Sequence, residues 1–263
     1  MFGTISHKSR GTGYGSSSEG GISEAVFAGM PTWAWSSGGA AGGKAGTFLF
    51  DDISDFDADN GNYAILGTPV LQTSEAGGQL LLQSGSSDNG EEGFVLNSPV
   101  ISVDATVSTL CAWEMRVKTV SGSLAANAGD IFVGIGEPGS MDVTDKVFAD
   151  GDTIVDQSLI GFRALVADCA TTGITLDAIV KKTDSTATAV IKEAAHVLTT
   201  SYVQLGMRFD GTNVQLFVNG KQVGDLSSAF DNDLYEIGAA VKNADGSNSV
   251  DLVIDWIAVA QEK

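Results

Sequence analysis

Apolar and polar residues alternate strictly in several stretches of this chain. Over residues 110–118, Cys111, Trp113, Met115 and Val117 share one face, and Ala112, Glu114, Arg116 and Lys118 share the other. A period of two sustained at this length predicts a half-buried β-strand. Val203, Leu205, Met207 and Phe209 repeat the pattern against Tyr202, Gln204 and Arg208. A turn, Asp210-Gly211-Thr212-Asn213, then leads into Val214-Gln215-Leu216-Phe217-Val218, and Asn219-Gly220 follows. Asn-Gly accepts the positive φ angles of a type I′ hairpin. Residues 202–209, 213–219 and 221–224 are therefore predicted to form an antiparallel meander. Further strands are predicted near 79–84, 93–102, 130–136, 159–166, 174–182, 188–194, 234–241 and 250–260. No segment after residue 50 sustains a helical period. About a dozen short strands joined by turns imply an all-β sandwich or barrel.

The first 50 residues are different. They hold 12 of the 33 glycines and 8 serines. The division predicted is a Gly/Ser-rich N-terminal arm over 1–47 and a β-sandwich domain over 48–263. Ser23 to Met30 could form a short capped helix. Gly/Ser-rich sequence behaves as flexible coil on its own and cannot repay its ordering entropy. Yet the arm carries Phe27, Met30, Trp33 and Trp35. These four are the candidate partner-binding residues, anchors for a neighbouring surface. Packing onto the chain's own sandwich is the competing expectation.

Charge narrows the partners. The formal net charge is −19, from 14 basic and 33 acidic residues. The arm carries +1, so the remainder carries −20. Such a surface repels phosphate backbones and anionic membranes, so no nucleic acid and no membrane are expected. No apolar run is long enough to span a bilayer. The opening residues lack the apolar stretch of a secretion signal. Two cysteines, Cys111 and Cys169, read as small buried thiols rather than a bridge or a zinc site.

Three stretches resemble the concanavalin A-like and laminin-G-like superfamily. Residues 205–221 match its Asp-Gly-Thr-Asn and Asn-Gly-Lys meander. Val253-Ile254-Asp255-Trp256-Ile257-Ala258-Val259 is similar to its closing strand, and residues 78–85 to its opening strand. The resemblance spans roughly residues 48–263 as an order of elements. It implies a two-sheet antiparallel jelly-roll sandwich, an architecture that hosts lectins, glycosidases, adhesion modules and virion proteins. The sandwich with a Gly/Ser-rich extension also resembles bacteriophage capsid decoration (cement) proteins.

Candidate chemistry is sparse. The laminarinase-type relatives use Glu-x-Asp-x-x-Glu on a central strand, because glycoside hydrolysis needs two facing carboxylates. Asp231-Asn232-Asp233-Leu234-Tyr235-Glu236 is a near match but falls before the penultimate strand, and reads as an acidic turn. Neither His7 nor His196 sits in a nucleophile triad. Asp55, Asp57 and Asp59 have the i, i+2, i+4 spacing of a calcium loop, but glycine comes one place late and the twelfth position is Leu66. Calcium is thus the one conceivable cofactor. Tyr63, Tyr202, Phe217 and Tyr235 could form a sugar platform, but read more simply as core or cross-strand pairs. Trp113 and Trp256 read as core.

These features predict a non-enzymatic protein. The first expectation is a virion protein that decorates the outer capsid. It would bind the major capsid protein through its arm and form a homo-oligomer, by preference a trimer. The alternative expectation is a lectin-like fibre or adhesin module that binds a glycan.

Overall fold

A computed structural model describes residues 22–28, 30, 46–53, 56, 61–72, 78–106, 109–121, 124–126, 128–145, 147–149, 153–154, 157–185, 188–227, 230–244, 246 and 248–262. Two antiparallel sheets lie face to face. Strands are numbered in chain order. Sheet I runs β16 (Lys221–Leu226), β15 (Val214–Val218), β14 (Val203–Phe209), β6 (Cys111–Thr119), β18 (Asp251–Glu262), β4 (Gln79–Gln83), β3 (Val70–Gln72), and β1 (Gly46–Asp51) also pairs with β18. Sheet II runs β11 (Cys169–Ala170), β12 (Gly173–Lys181), β10 (Leu159–Ala164), β7 (Gly129–Gly136), β17 (Asp233–Asn243), β5 (Glu91–Val103), β2 (Tyr63–Leu66), with β13 (Thr188–Leu198) also on β12. A small hairpin, β8 (Phe148–Ala149) with β9 (Thr153–Ile154), stands apart.

The meander forms as the turn chemistry requires. Asn219 and Gly220 have φ of 49° and 71°, the left-handed pair of a type I′ turn. Asp210 Oδ1 accepts the N–H groups of Thr212 (3.0 Å) and Asn213 (2.8 Å), which closes the preceding turn. The face Cys111, Trp113, Met115, Val117 meets Ile131, Val133, Ile135 and Ile160, Phe162 in one core between the sheets.

The opposite faces depart from simple alternation. Ala112 and Glu114, expected on a solvent face, are fully buried. Trp256 is buried too, but not in the central core. A bulge between Ile254 and Trp256 reverses the parity of β18, so Ile257 and Val259 point inward while Trp256, Ala258 and Ala260 point out. What covers them is a turn described at residues 22–28 and 30, whose Ile22, Val26, Phe27 and Met30 pack on the outer face of sheet I. The expected helix at 23–30 is one turn: Phe27 N–H donates to Ser23 O (3.2 Å) and Met30 N–H to Phe27 O (2.9 Å). The boundary placed between residues 47 and 48 falls inside β1, whose register runs from Gly46↔Glu262 to Asp51↔Ile257. Among the described residues no helix is long and apolar enough to cross a membrane.

Candidate functional site

Three surfaces of the sandwich stand out. The first is the outer face of sheet I. Val26, Phe27 and Met30 fill an apolar groove floored by Ala112, Ala258 and Ala260 and walled by Phe217 and Trp256. Phe27 meets Phe48 edge-on at 6.3 Å, and Phe50 lies 5.6 Å from Trp256. Burying each large side chain contributes roughly 1.5–3 kcal/mol. Phe27 and Met30, expected as anchors for a separate partner, are buried against the chain's own sheet, as the competing expectation had it. Trp33 and Trp35 lie outside the described residues. At the polar end of the groove, Ser23 donates its N–H to Glu114 Oε2 at 2.7 Å and its hydroxyl to Glu114 Oε1. Gln204 Oε1 stands 3.3 Å from the same hydroxyl. Burial pushes the Glu114 carboxyl up to about 7 against the two Ser23 hydrogen bonds, which pull it down.

The second surface is the outer face of sheet II. Gly161, Gly134 and Gly238 stand in register across β10, β7 and β17, and the Phe132 and Val95 side chains lie close over Gly134 and Gly238. The segment that follows β7, described at 137–145 and 147–149, folds back over this face. Its Met141, Val147 and Phe148 pack with Phe132, Val95, Leu159, Ile179 and Ala240. The approach is close enough that a Cβ on Gly93 would collide with the Met141 carbonyl, and one on Gly136 with the Ser140 hydroxyl. Lys242 is buried beneath the connection and donates to Asp145 Oδ1 (2.6 Å) and Phe148 O (3.2 Å).

The near-glycosidase residues lie at the edge of this surface. Asp231 lies in the loop before β17, but Asp233 begins β17 and Glu236 lies on it, an interior strand of sheet II rather than a turn before one. Their carboxylates are engaged. Asp231 accepts from the Ser158 hydroxyl, from Thr183 N–H (2.8 Å) and from Lys182 (3.4 Å). Burial alone would raise its pKa, yet these donors together hold it below the usual carboxylate range. Glu236 accepts Gly139 N–H at 2.9 Å. Thr183 also donates to Glu137, whose Oε1 takes Ser158 N–H at 3.0 Å. Asp231, Glu236 and Glu137 thus act as struts that fasten the ends of the covering connection.

The aromatic platform does not assemble. Tyr63 and Tyr235 are in the core, Phe217 is under the 22–30 turn, and Tyr202 is overlaid by Arg116 (4.0 Å) and Lys118 (4.3 Å). Asp55, Asp57 and Asp59 lie outside the described residues, and no group of three metal-ligating side chains occurs among the described ones. His196 is half-buried on β13, and burial lowers its pKa. Cys111 and Cys169 are free buried thiols.

The third surface is the seam where β13 of sheet II lies against β16 of sheet I. An open pocket of about 340 Å³ is lined there by Lys192, Ala195, Val218, Lys221, Gln222 and Val223. Sequence reasoning missed it because its residues lie far apart in the chain, on strands whose pairing was not predicted.

No protein-family model matches the sequence, and no curated protein matches it. Solved structures do match in shape. Peanut lectin in complex with a nine-residue peptide is similar with a TM-score of 0.55 at 11% identity, over 82% of this chain and 97% of that one. A prokaryotic β-1,3-1,4-glucanase (lichenase) from a mouse hindgut metagenome gives 0.55 at 9% identity, over 81% and 98%. The metal-free Emp46p carbohydrate recognition domain gives 0.51 at 11% identity, over 79% and 93%. The chain therefore has the concanavalin A-like jelly-roll β-sandwich fold that its meander and closing strand resemble.

Proposed function

We propose that the protein is a carbohydrate-binding module without a catalytic role, and that it takes an acidic glycan at the seam between its sheets. One observation carries this reading: the seam pocket is lined by two lysines, Lys192 and Lys221, and by Gln222, together with the apolar residues Ala195, Val218 and Val223. Sugar rings present C–H faces and hydroxyl edges, which suit an apolar floor with a few polar groups. Within a chain of net charge −19, the two lysines give this seam a local positive charge that suits a carboxylate- or sulfate-bearing sugar. The fold's occurrence in a lectin and a carbohydrate recognition domain supports the same direction. Hydrolysis is disfavoured, because Asp231 and Glu236 are engaged as struts and the outer face of sheet II is covered by the chain itself. Capsid decoration has less support, since Phe27 and Met30 occupy their own sheet.

The test is a glycan array followed by calorimetry with uronate-containing and neutral oligosaccharides. Acidic sugars should bind and neutral ones should not. Replacing Lys192 and Lys221 together by alanine should weaken binding at least about tenfold, the equivalent of about 1.4 kcal/mol. Absence of binding to any acidic glycan, or undiminished binding by the double variant, would reject the reading.

A further inference from the structure

We propose that residues 22–30 form a proton-linked plug, seated on the outer face of sheet I more firmly at acid pH than at neutral or alkaline pH. The geometry is a short turn held by two kinds of contact. Its apolar side, Val26, Phe27 and Met30, fills the groove over Ala112, Ala258 and Ala260. Two glycines let it sit close: Val26 Cγ2 lies 3.2 Å from where a Cβ on Gly206 would be, and Ser23 Oγ 3.1 Å from one on Gly220. Its polar side is Ser23, whose two donors are both aimed at Glu114, a fully buried carboxyl.

Burying Glu114 penalises its charged form, because hydration is lost and only Ser23 replaces it. Other charges stand near but are directed elsewhere. On β6 itself, Arg116 is ion-paired with Asp255 of β18, and both Arg116 and Lys118 overlie Tyr202. On β14, Arg208 acts on Asp210. Glu24 of the turn is exposed, and Lys221 is exposed beside the Gly220 hairpin. The balance at Glu114 is burial against Ser23 alone. The protonated carboxyl still has partners, since its O–H can donate to Ser23 Oγ while the Ser23 hydroxyl turns to Gln204 Oε1, 3.3 Å away.

The sign follows from linkage. With the plug seated, the carboxyl pKa is about 7; with it lifted, Glu114 meets water and returns to the ordinary 4.5. A group raised in the closed state favours closure below its open-state pKa, and that advantage disappears as pH rises through the closed-state value. The seating constant should therefore be largest below pH 4.5 and fall about 300-fold by the time the pH exceeds about 7.

Hydrogen–deuterium exchange of the full chain tests this, with peptide rates corrected for intrinsic pH dependence. Protection of the 24–30 amides should fall on the order of a hundredfold between about pH 5 and about pH 8, while amides of β12 remain unchanged. Glu114→Gln, neutral at every pH, should hold the turn with no pH dependence. Ser23→Ala, which removes the hydroxyl donor to the charged form, should lower protection of the turn more at neutral than at acid pH and so steepen its pH dependence, and it keeps the test open if Glu114→Gln fails to fold. Equal protection of the turn at both pH values, parallel loss in β12, or an unaltered pH profile in either variant would overturn the proposal.

Discussion

At the scale of single residues, burial decides chemistry more than residue type does. Cys111 and Cys169 have thiols that burial pushes up to about 12 and about 11, an effect that hydrogen bonding with the backbone of Phe209 and of Gly129 and Ala128 offsets only in part. A raised thiol pKa keeps the proton on sulfur in the folded state, and the stability this brings is lost only as pH climbs above the ordinary 9.0. The thiolate is the reactive form, so both cysteines should resist an aromatic disulfide reagent at neutral pH. We expect no colour release from the native chain within minutes and release from both thiols once denaturant is added. Prompt native reaction of either thiol would show that its strand opens locally. Glu114 makes the same point with the opposite lesson for sequence reading. It looks like a routine solvent-facing residue on an alternating strand, and only the turn at 22–30 turns it into a buried carboxyl.

At the scale of elements, strands with local signals were readable and the segments that cover them were not. The Asp210 turn and Asn219-Gly220 determine the meander through backbone preference, which acts within four residues. The parity of Trp256 was not readable, because a bulge in β18 depends on which strands flank it. Double-sided burial of β7 left a faint trace, as Asp130-Ile131-Phe132-Val133-Gly134-Ile135 is nearly continuous in apolar residues rather than alternating. Nothing nearby announced that Met141, Val147 and Phe148 would supply the cover. Lys242 fastens that cover. Replacing it by methionine keeps the stem volume but removes the donor to Asp145 and Phe148 O. Hydrogen bonds from a charged donor contribute roughly 1.5–3 kcal/mol, so Lys242→Met should lower urea-unfolding stability by about that amount and expose residues 141–149 to proteolytic nicking. Unchanged stability with an intact connection would mean that the apolar contacts alone hold it.

At the scale of the whole molecule, the fold is set by two apolar faces meeting, while the charge on the outside works against it. Concanavalin-like architecture was readable because it needs only strand order and turn chemistry, both present in the sequence. The seam pocket was not, because it depends on β13 meeting β16 across sheets. Charge, by contrast, is a property of the sum. Acidic residues outnumber basic ones by 33 to 14, so repulsive pairs exceed attractive ones even with pairs such as Arg116–Asp255 and Lys242–Asp145 in place. Self-repulsion of this size destabilises the compact state. Salt shortens its reach, from ~30 Å at 0.01 M ionic strength to ~8 Å at 0.15 M. The melting temperature at neutral pH should therefore rise by several degrees over that interval, where screening changes steeply and salting-out is still weak. The rise should shrink near pH 4.2, the sequence isoelectric point, because the net charge disappears there. Asp210 and Asp231 do not confuse the comparison: both are held below the ordinary 3.8, so their stabilisation is lost only as pH falls beneath that value. A melting temperature that falls with added salt at neutral pH would mean that specific ion pairs outweigh the net charge, and that the acidic surface is organised rather than merely abundant.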